Sequence, residues 1–162
     1  MLSNRAKYAT RALLELSLCY EKGPVHVTEI AERQAIPLAF LHQIMGTLRM
    51  ANFVTSRKGP GGGFRLAREP KDIILGDLVR AIDGPIALIS CVSVTRHAEC
   101  GCPEPETCGL RKAFKEARDS MAEVLDKTSY EDIRRRHLAG GSGSDSTVLA
   151  SSRFDVDAVQ GG

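Results

Sequence analysis

Tryptophan is absent from this 162-residue chain, and aromatic residues make up only 5% of it. Its core must therefore be assembled from Leu, Ile, Val, Ala and Met. No apolar run approaches the ~20 residues that a membrane span needs. Glu15 breaks the first apolar stretch, so the start lacks the apolar core of a secretory leader. The expectation is a cytoplasmic protein with no membrane partner. In that compartment clustered cysteines favour metal or redox chemistry over structural disulfides. There is no G-x-x-x-x-G-K-[S/T] loop. The single glycine run joins two strand-like segments rather than a strand and a helix, which excludes a nucleotide-binding loop.

Charge of neither sign dominates, the net being +2, but the distribution is uneven. Residues 1–70 hold ten basic and five acidic side chains, a local surplus of +5 that suits a polyanionic partner. What occupies that basic half is a regular alternation of helix and turn signals. Ala9, Ala12, Leu13, Leu16 and Tyr20 keep the spacing of one helix face, so a helix is predicted over 4–21, with Cys19 as a small buried hydrophobe. Thr28 reads as the N-cap of a second helix over 29–34. Pro37 can open a third, running to Ala51. Its inward face is predicted to be Leu38, Leu41, Met45 and Leu48, with Ile44 at the margin. Ala39, Phe40, His42, Gln43 and Arg49 lie on the outward face. Two helices joined by a turn, the second polar and basic outside, make a helix-turn-helix pattern. Phe53–Arg57 and Phe64–Ala67 then alternate like strands around Lys58-Gly59-Pro60-Gly61-Gly62-Gly63. A basic, glycine-rich hairpin after a helix-turn-helix is a wing.

Downstream, 71–74 reads as a brief pairing segment and 76–83 as a short helix. The third quarter of the chain holds four of its five cysteines: Cys91, Cys100, Cys102 and Cys108, spaced C-x8-C-x-C-x5-C. This is neither a zinc-ribbon nor a ferredoxin spacing. Anionic, polarisable thiolates suit iron and other soft metals. On the residues alone an iron–sulphur cluster, a zinc site, a thiol redox pair and incidental cysteines all stay open. Beyond them Leu110, Ala113, Phe114, Ala117, Met121, Val124 and Leu125 form one apolar stripe on a helix reaching about Lys127. Little chain remains to cover that stripe, so a second copy of the chain is its expected partner. Thr128-Ser129-Tyr130-Glu131 reads as a capping box opening a last helix toward His137.

The expected fold is mainly α with a small β-hairpin: a winged helix-turn-helix plus a long dimerisation helix. The divisions are a DNA-binding domain at 1–84, a sensor loop at 85–109, the dimerisation and terminal helices at 110–138, and a disordered tail at 139–162. An enzyme with Cys108 as nucleophile and His97 or His137 as base lacks any oxyanion donor set, so none is expected.

Four stretches of this sequence are similar to the IscR/NsrR/RirA family of bacterial winged-helix regulators, a resemblance running from Leu2 to His137. They are Ala6-Lys7-Tyr8-Ala9; residues 30–37 followed by Phe40-Leu41; Arg57-Lys58-Gly59-Pro60-Gly61-Gly62-Gly63-Phe64; and Cys91 with Cys102 and Cys108 ahead of Gly109-Leu110. The resemblance implies a homodimeric transcriptional regulator, expected to be a repressor, that binds double-stranded DNA. It implies that Cys91, Cys102 and Cys108 hold an iron–sulphur cluster, 2Fe–2S or 4Fe–4S, whose state sets DNA affinity in response to iron, redox or nitric oxide status. Cys100 is an additional candidate ligand. Arg111 stands where some members have a ligating His, and Lys7 and Tyr8 where others carry an acid or His. The fourth ligand is then Cys100, His97 or a group from the partner subunit. A regulator of the same fold using thiol redox or zinc instead is the alternative. In the expected complex Ala39, His42 and Gln43 approach base edges, with Phe40 on the same face. Tyr8, Thr28, Arg49 and Lys58 contact phosphates, Arg57 enters the minor groove, and the Gly59–Gly62 turn follows the backbone.

Overall fold

The computed structural model describes residues 2–140; the expected tail lies almost entirely outside them. Six helices and one hairpin follow each other in the expected order. They are α1 (Asn4–Leu18), α2 (Val27–Arg33), α3 (Leu38–Met50), β1 (Val54–Arg57), β2 (Gly63–Leu66), α4 (Leu75–Asp83), α5 (Gly109–Asp126) and α6 (Tyr130–Gly140).

The central helix is α1, which packs against α2, α3, α4, α6 and β2. Alanines at 6, 9 and 12, all fully buried, let its backbone approach those neighbours closely. Leu13, Leu16, Ile30, Leu41, Ile44, Met45, Leu48 and Leu78 complete an aliphatic core. The Ser3 hydroxyl accepts the N–H of Ala6 at 3.0 Å, capping α1. The Ser3 N–H donates to Asp83 at 2.8 Å, which ties the start of α1 to the end of α4.

Between α2 and α3 the chain turns through Ala35, whose φ of 47° is left-handed. The N–H of Ile36 reaches the carbonyl of Ala31 at 2.9 Å and that of Ala35 reaches Glu32 at 3.2 Å. This double closure is a Schellman stop, here on a non-glycine residue. A second one ends α3, with Asn52 at φ 59° and the N–H of Phe53 on the Leu48 carbonyl at 2.9 Å. Beneath the turn, Glu15 is buried but paired. Arg33 donates to it at 2.9 Å and Gln34 at 2.8 Å. Burial raises its carboxyl pKa, and the hydrogen bonds from Arg33 and Gln34 outweigh that, leaving it below the usual carboxylate range.

The hairpin pairs antiparallel in the register Val54↔Leu66 to Arg57↔Gly63. Val25 adds a bridge on its other side, exchanging two 2.8 Å bonds with Phe64. Gly63 is required there. Its φ is +145°, and a Cβ would sit 2.5 Å from the Val25 carbonyl oxygen.

Several local expectations shift. The first helix ends at Leu18, and Tyr20 lies in a separate 3-10 turn, 41% exposed. α2 starts at Val27 with His26 at its N-cap, so Thr28 is an exposed residue of the first turn and not the cap. α3 is rotated from the expected face: Ile44 is fully buried, whereas Leu38 is exposed. Residues 70–72 form a 3-10 turn, and the pairing expected there narrows to one bridge, Ile74↔Ser129. The capping box before α6 is one residue later than expected, on Ser129 and Asp132: each takes the other's backbone N–H, at 3.0 and 3.1 Å.

After α4 the chain leaves the core, runs through the cysteine loop and returns along α5, which rests on α4 and on the Ser90–Val92 turn. Arg80 and Asp126 join α4 to α5 through two hydrogen bonds of 2.6 and 2.8 Å. Gly76 makes room for this pair, since a Cβ at that position would run into the Asp126 carboxylate. α6 then returns to α1, where Tyr130 is fully buried and its hydroxyl lies 3.3 Å from the Thr10 carbonyl. Among the described residues no helix is long and apolar enough to cross a membrane.

Candidate functional site

Two sites lie on this frame. The first is the outer surface of α3 together with the hairpin. Ala39, His42, Gln43 and Arg49 are exposed along one side of α3, and Thr28 is exposed on α2. Phe40 is half-buried because its ring meets Tyr8 edge-on at 5.7 Å, so this pair braces α3 against α1. Arg5 adds a second brace, donating to Thr47 at 2.6 Å. At the hairpin tip Arg57, Lys58, Gly59, Pro60 and Gly61 are exposed. Gly59 and Gly61 have φ of 94° and 69°. Gly62 is buried within the turn, where a Cβ would strike the Arg57 carbonyl; its N–H closes the turn on Gly59 at 2.9 Å. Its contribution is therefore to the shape of the wing. The pattern of residues in the sequence did not single out Met50, which is 88% exposed beside this surface at the end of α3.

The second site is the loop between α4 and α5. All five cysteines are free thiols. Cys91 is buried in the Ser90–Val92 turn, Cys102 is exposed, and Cys100 and Cys108 are half-buried. Cys108 sits at the N-cap of α5, where its sulphur accepts the Arg111 N–H at 3.4 Å. The thiols lie in series, Cys91 near Cys100, Cys100 near Cys102 and Cys102 near Cys108, close enough for each to perturb its neighbour. The backbone N–H of Cys102, and then its thiol, hold Cys100 below the ordinary thiol range. Cys102 is pushed up to about 11, first by its hydrogen bond with Cys100 and then by that neighbour's charge. Burial, followed by Cys100, raises Cys91.

Cys91, Cys100, Cys102, His97, Glu99 and Arg111 face a common cavity of about 380 Å³. Among the described residues no three His, Cys, Asp or Glu groups form a ready-made metal cage. The thiols are thus adjacent in series without converging on one point. Their chemistry still fits a soft metal centre, because the donor set is sulphur-rich and half of it lies outside regular secondary structure. Arg111 hydrogen-bonds the Pro105 carbonyl at 3.3 Å and lies 3.8 Å from Glu106. A guanidinium is no ligand, but beside several thiolates it offsets their charge. The stripe on α5 is largely uncovered: Leu110 is 71% and Val124 65% exposed, and Ala113, Ala117 and Met121 are also exposed. Phe114 and Leu125 are half-buried.

A helix-turn-helix, a basic wing and a separate thiol-bearing loop define a winged-helix transcriptional regulator, and comparison with known proteins makes the class specific. The chain belongs to the Rrf2 family, described as iron-dependent transcriptional regulators, whose model matches residues 2–136. It is 38% identical over 146 residues to an rrf2-like HTH-type transcriptional regulator of Rhodobacter capsulatus, covering 88% of this chain and 95% of the relative. It is 32% identical over 132 residues to the HTH-type transcriptional regulator IscR of Aliivibrio salmonicida, covering 82% and 76%. Among solved structures, CymR, the global cysteine regulator of B. subtilis, superimposes with a TM-score of 0.72 at 29% identity over 84% of this chain and 97% of that one. IscR of T. potens does so with 0.67 at 28% identity over 85% and 88%. The expected fold and the family resemblance are borne out, and the protein is a DNA-binding regulator rather than an enzyme.

Proposed function

We propose that this regulator is a homodimer whose DNA affinity is set by an iron–sulphur cluster on the loop between α4 and α5. The observation that carries the reading is the series of four thiols gathered into one loop where the DNA-reading unit meets α5. Cys91, Cys102 and Cys108 would hold the cluster, with Cys100, which contacts two of the other thiols, as the fourth ligand. A bound cluster would supply a centre whose oxidation, loss or nitrosylation changes its charge and coordination. The chain's own part is mechanical. Cys91 is fixed on the buried turn under α5 and Cys108 caps α5, so a change in how these two are held alters the seat of that helix. The exposed stripe on α5 would pack on a second copy, setting the distance between two α3 helices and hence the half-site spacing. A regulatory state must differ from the other in affinity for DNA, and the Arg80–Asp126 pair is the direct link through which the seat of α5 reaches α4.

Anaerobic purification followed by iron and acid-labile sulphide analysis tests the cofactor. Iron and sulphide bound in comparable amounts support it, whereas colourless protein with stoichiometric zinc rejects it. One observation favours a second reading. Cys100 and Cys102 stand one residue apart in the loop and perturb each other, a proximity that thiol–disulfide chemistry requires. Loss of two free thiols on mild oxidation of iron-free protein, reversed by reductant, would support that reading.

For the DNA contacts, the exposed α3 face reads bases, Tyr8, Thr28, Arg49 and Lys58 hold phosphates, and Arg57 enters the minor groove. Arg57→Ala is expected to weaken binding to a footprinted promoter site by about 1–3 kcal/mol, roughly 5- to 150-fold. Unchanged affinity in a salt titration would remove Arg57 from the interface.

A further inference from the structure

A basic cleft of about 170 Å³ lies beside the thiol cavity, between the Ser90–Ser93 segment and α5. Arg111, Lys115 and Arg118 line it, spaced at i, i+4 and i+7 along one face of α5. Ser93 and His97 face them from the loop. This side of α5 points inward: Arg118 is only 8% exposed, the sole buried residue of that helix. A guanidinium so placed has five N–H donors to satisfy, and a buried donor left alone is costly. Arg118 Nη2 meets Asp119 at 2.6 Å. Its Nε is buried and, among the described residues, without any hydrogen-bond partner. Asp119 is shared with Lys115, at 2.9 Å. Two further acids, Glu99 and Glu106, line the adjoining thiol cavity; Glu106 lies 3.8 Å from Arg111 and is 92% exposed. One carboxylate thus serves two cations, and the third has only a distant, solvated partner. The buried Ser93 Oγ accepts the Arg96 N–H at 3.0 Å, which leaves its hydroxyl proton to donate.

We infer that this cleft is a binding site for a small oxyanion, either a tetrahedral ion such as phosphate or the carboxylate of a small acid. In the proposed complex the Arg118 guanidinium donates from the α5 wall and the Ser93 hydroxyl from the loop, and Lys115 and Arg111 supply the compensating charge. Charge-assisted hydrogen bonds of this kind are the strong ones. An anion held there joins the loop to α5 directly, beside Cys91. Cys91 and His97 border this cleft as well as the thiol cavity, but none of the proposed anion donors is a thiol.

Isothermal titration calorimetry of the full chain with sodium phosphate, and separately with sodium acetate, at constant ionic strength tests this. Saturable binding of one anion per chain is expected, and the arm that binds identifies tetrahedral or carboxylate chemistry. Arg118→Lys keeps the charge but removes the Nε donor, and is expected to weaken binding about tenfold or more. Lys115→Gln alters an exposed side chain whose loss leaves the core untouched, and is expected to weaken it several-fold. No saturable heat in either arm, or unchanged affinity in folded Lys115→Gln and Arg118→Lys proteins, overturns the proposal.

Discussion

Cys102→Ser is expected to yield a folded protein that has lost nearly all of its iron. Cys102 is exposed, so the substitution removes a soft thiolate at little cost to folding. The replacement hydroxyl stays protonated near neutral pH and is a poor partner for iron. Cys91→Ser should have the same effect on iron with a modest loss of stability, because that sulphur is buried. Cys19→Ser supplies the contrast. Cys19 lies in the core between α1 and α2, where its thiol meets Glu15 at 3.6 Å and Arg33 at 3.5 Å, so its loss should leave iron content unchanged. Iron and sulphide per chain, read beside far-ultraviolet circular dichroism, separate ligand loss from unfolding. Wild-type iron content in both Cys102→Ser and Cys91→Ser would end the assignment.

The largest expected effect on stability is at Tyr130. Its side chain is fully buried against α1, and that burial drives the hydroxyl pKa upward. Tyr130→Ala removes an aromatic ring from a closed core and is expected to cost about 3–5 kcal/mol. That is a large fraction of the about 5–15 kcal/mol typical of a whole domain. Tyr130→Phe keeps the ring and gives up one long hydrogen bond, so about 1 kcal/mol is expected. Urea denaturation of the two variants checks both figures. An unchanged midpoint in Tyr130→Ala would mean that α6 unfolds independently of α1.

Most of the architecture was legible because its signals are local. The i, i+3, i+4 stripes placed α1, α3 and α5, and the glycine run placed the wing. The errors came where long-range contacts decide. For α3 the apolar residues permit two rotations. Packing against α1 and α2 selects the one that buries Ile44 and exposes Leu38. At the start of α6, two overlapping capping patterns compete. The bridge between Ile74 and Ser129 fixes the backbone there, and Thr128 becomes a buried residue whose hydroxyl bonds the Val124 carbonyl at 2.7 Å. The thiol loop was conspicuous by composition. Arg118 was not, because an arginine on a helix is ordinarily a solvated one. The signal was present in the i, i+4, i+7 run of Arg111, Lys115 and Arg118, opposite in chemistry to the apolar stripe on the same helix.

Because Tyr130 and Ile133 pack into the core built by α1–α4, the reading head is stitched from two separate lengths of chain, with the loop and α5 spliced between them. Ile74↔Ser129 and Arg80–Asp126 clamp the start and middle of α4 to the start of α6 and the end of α5. The spliced arm is thus joined to the reading head through both seams, so that severing either one leaves the other to hold it.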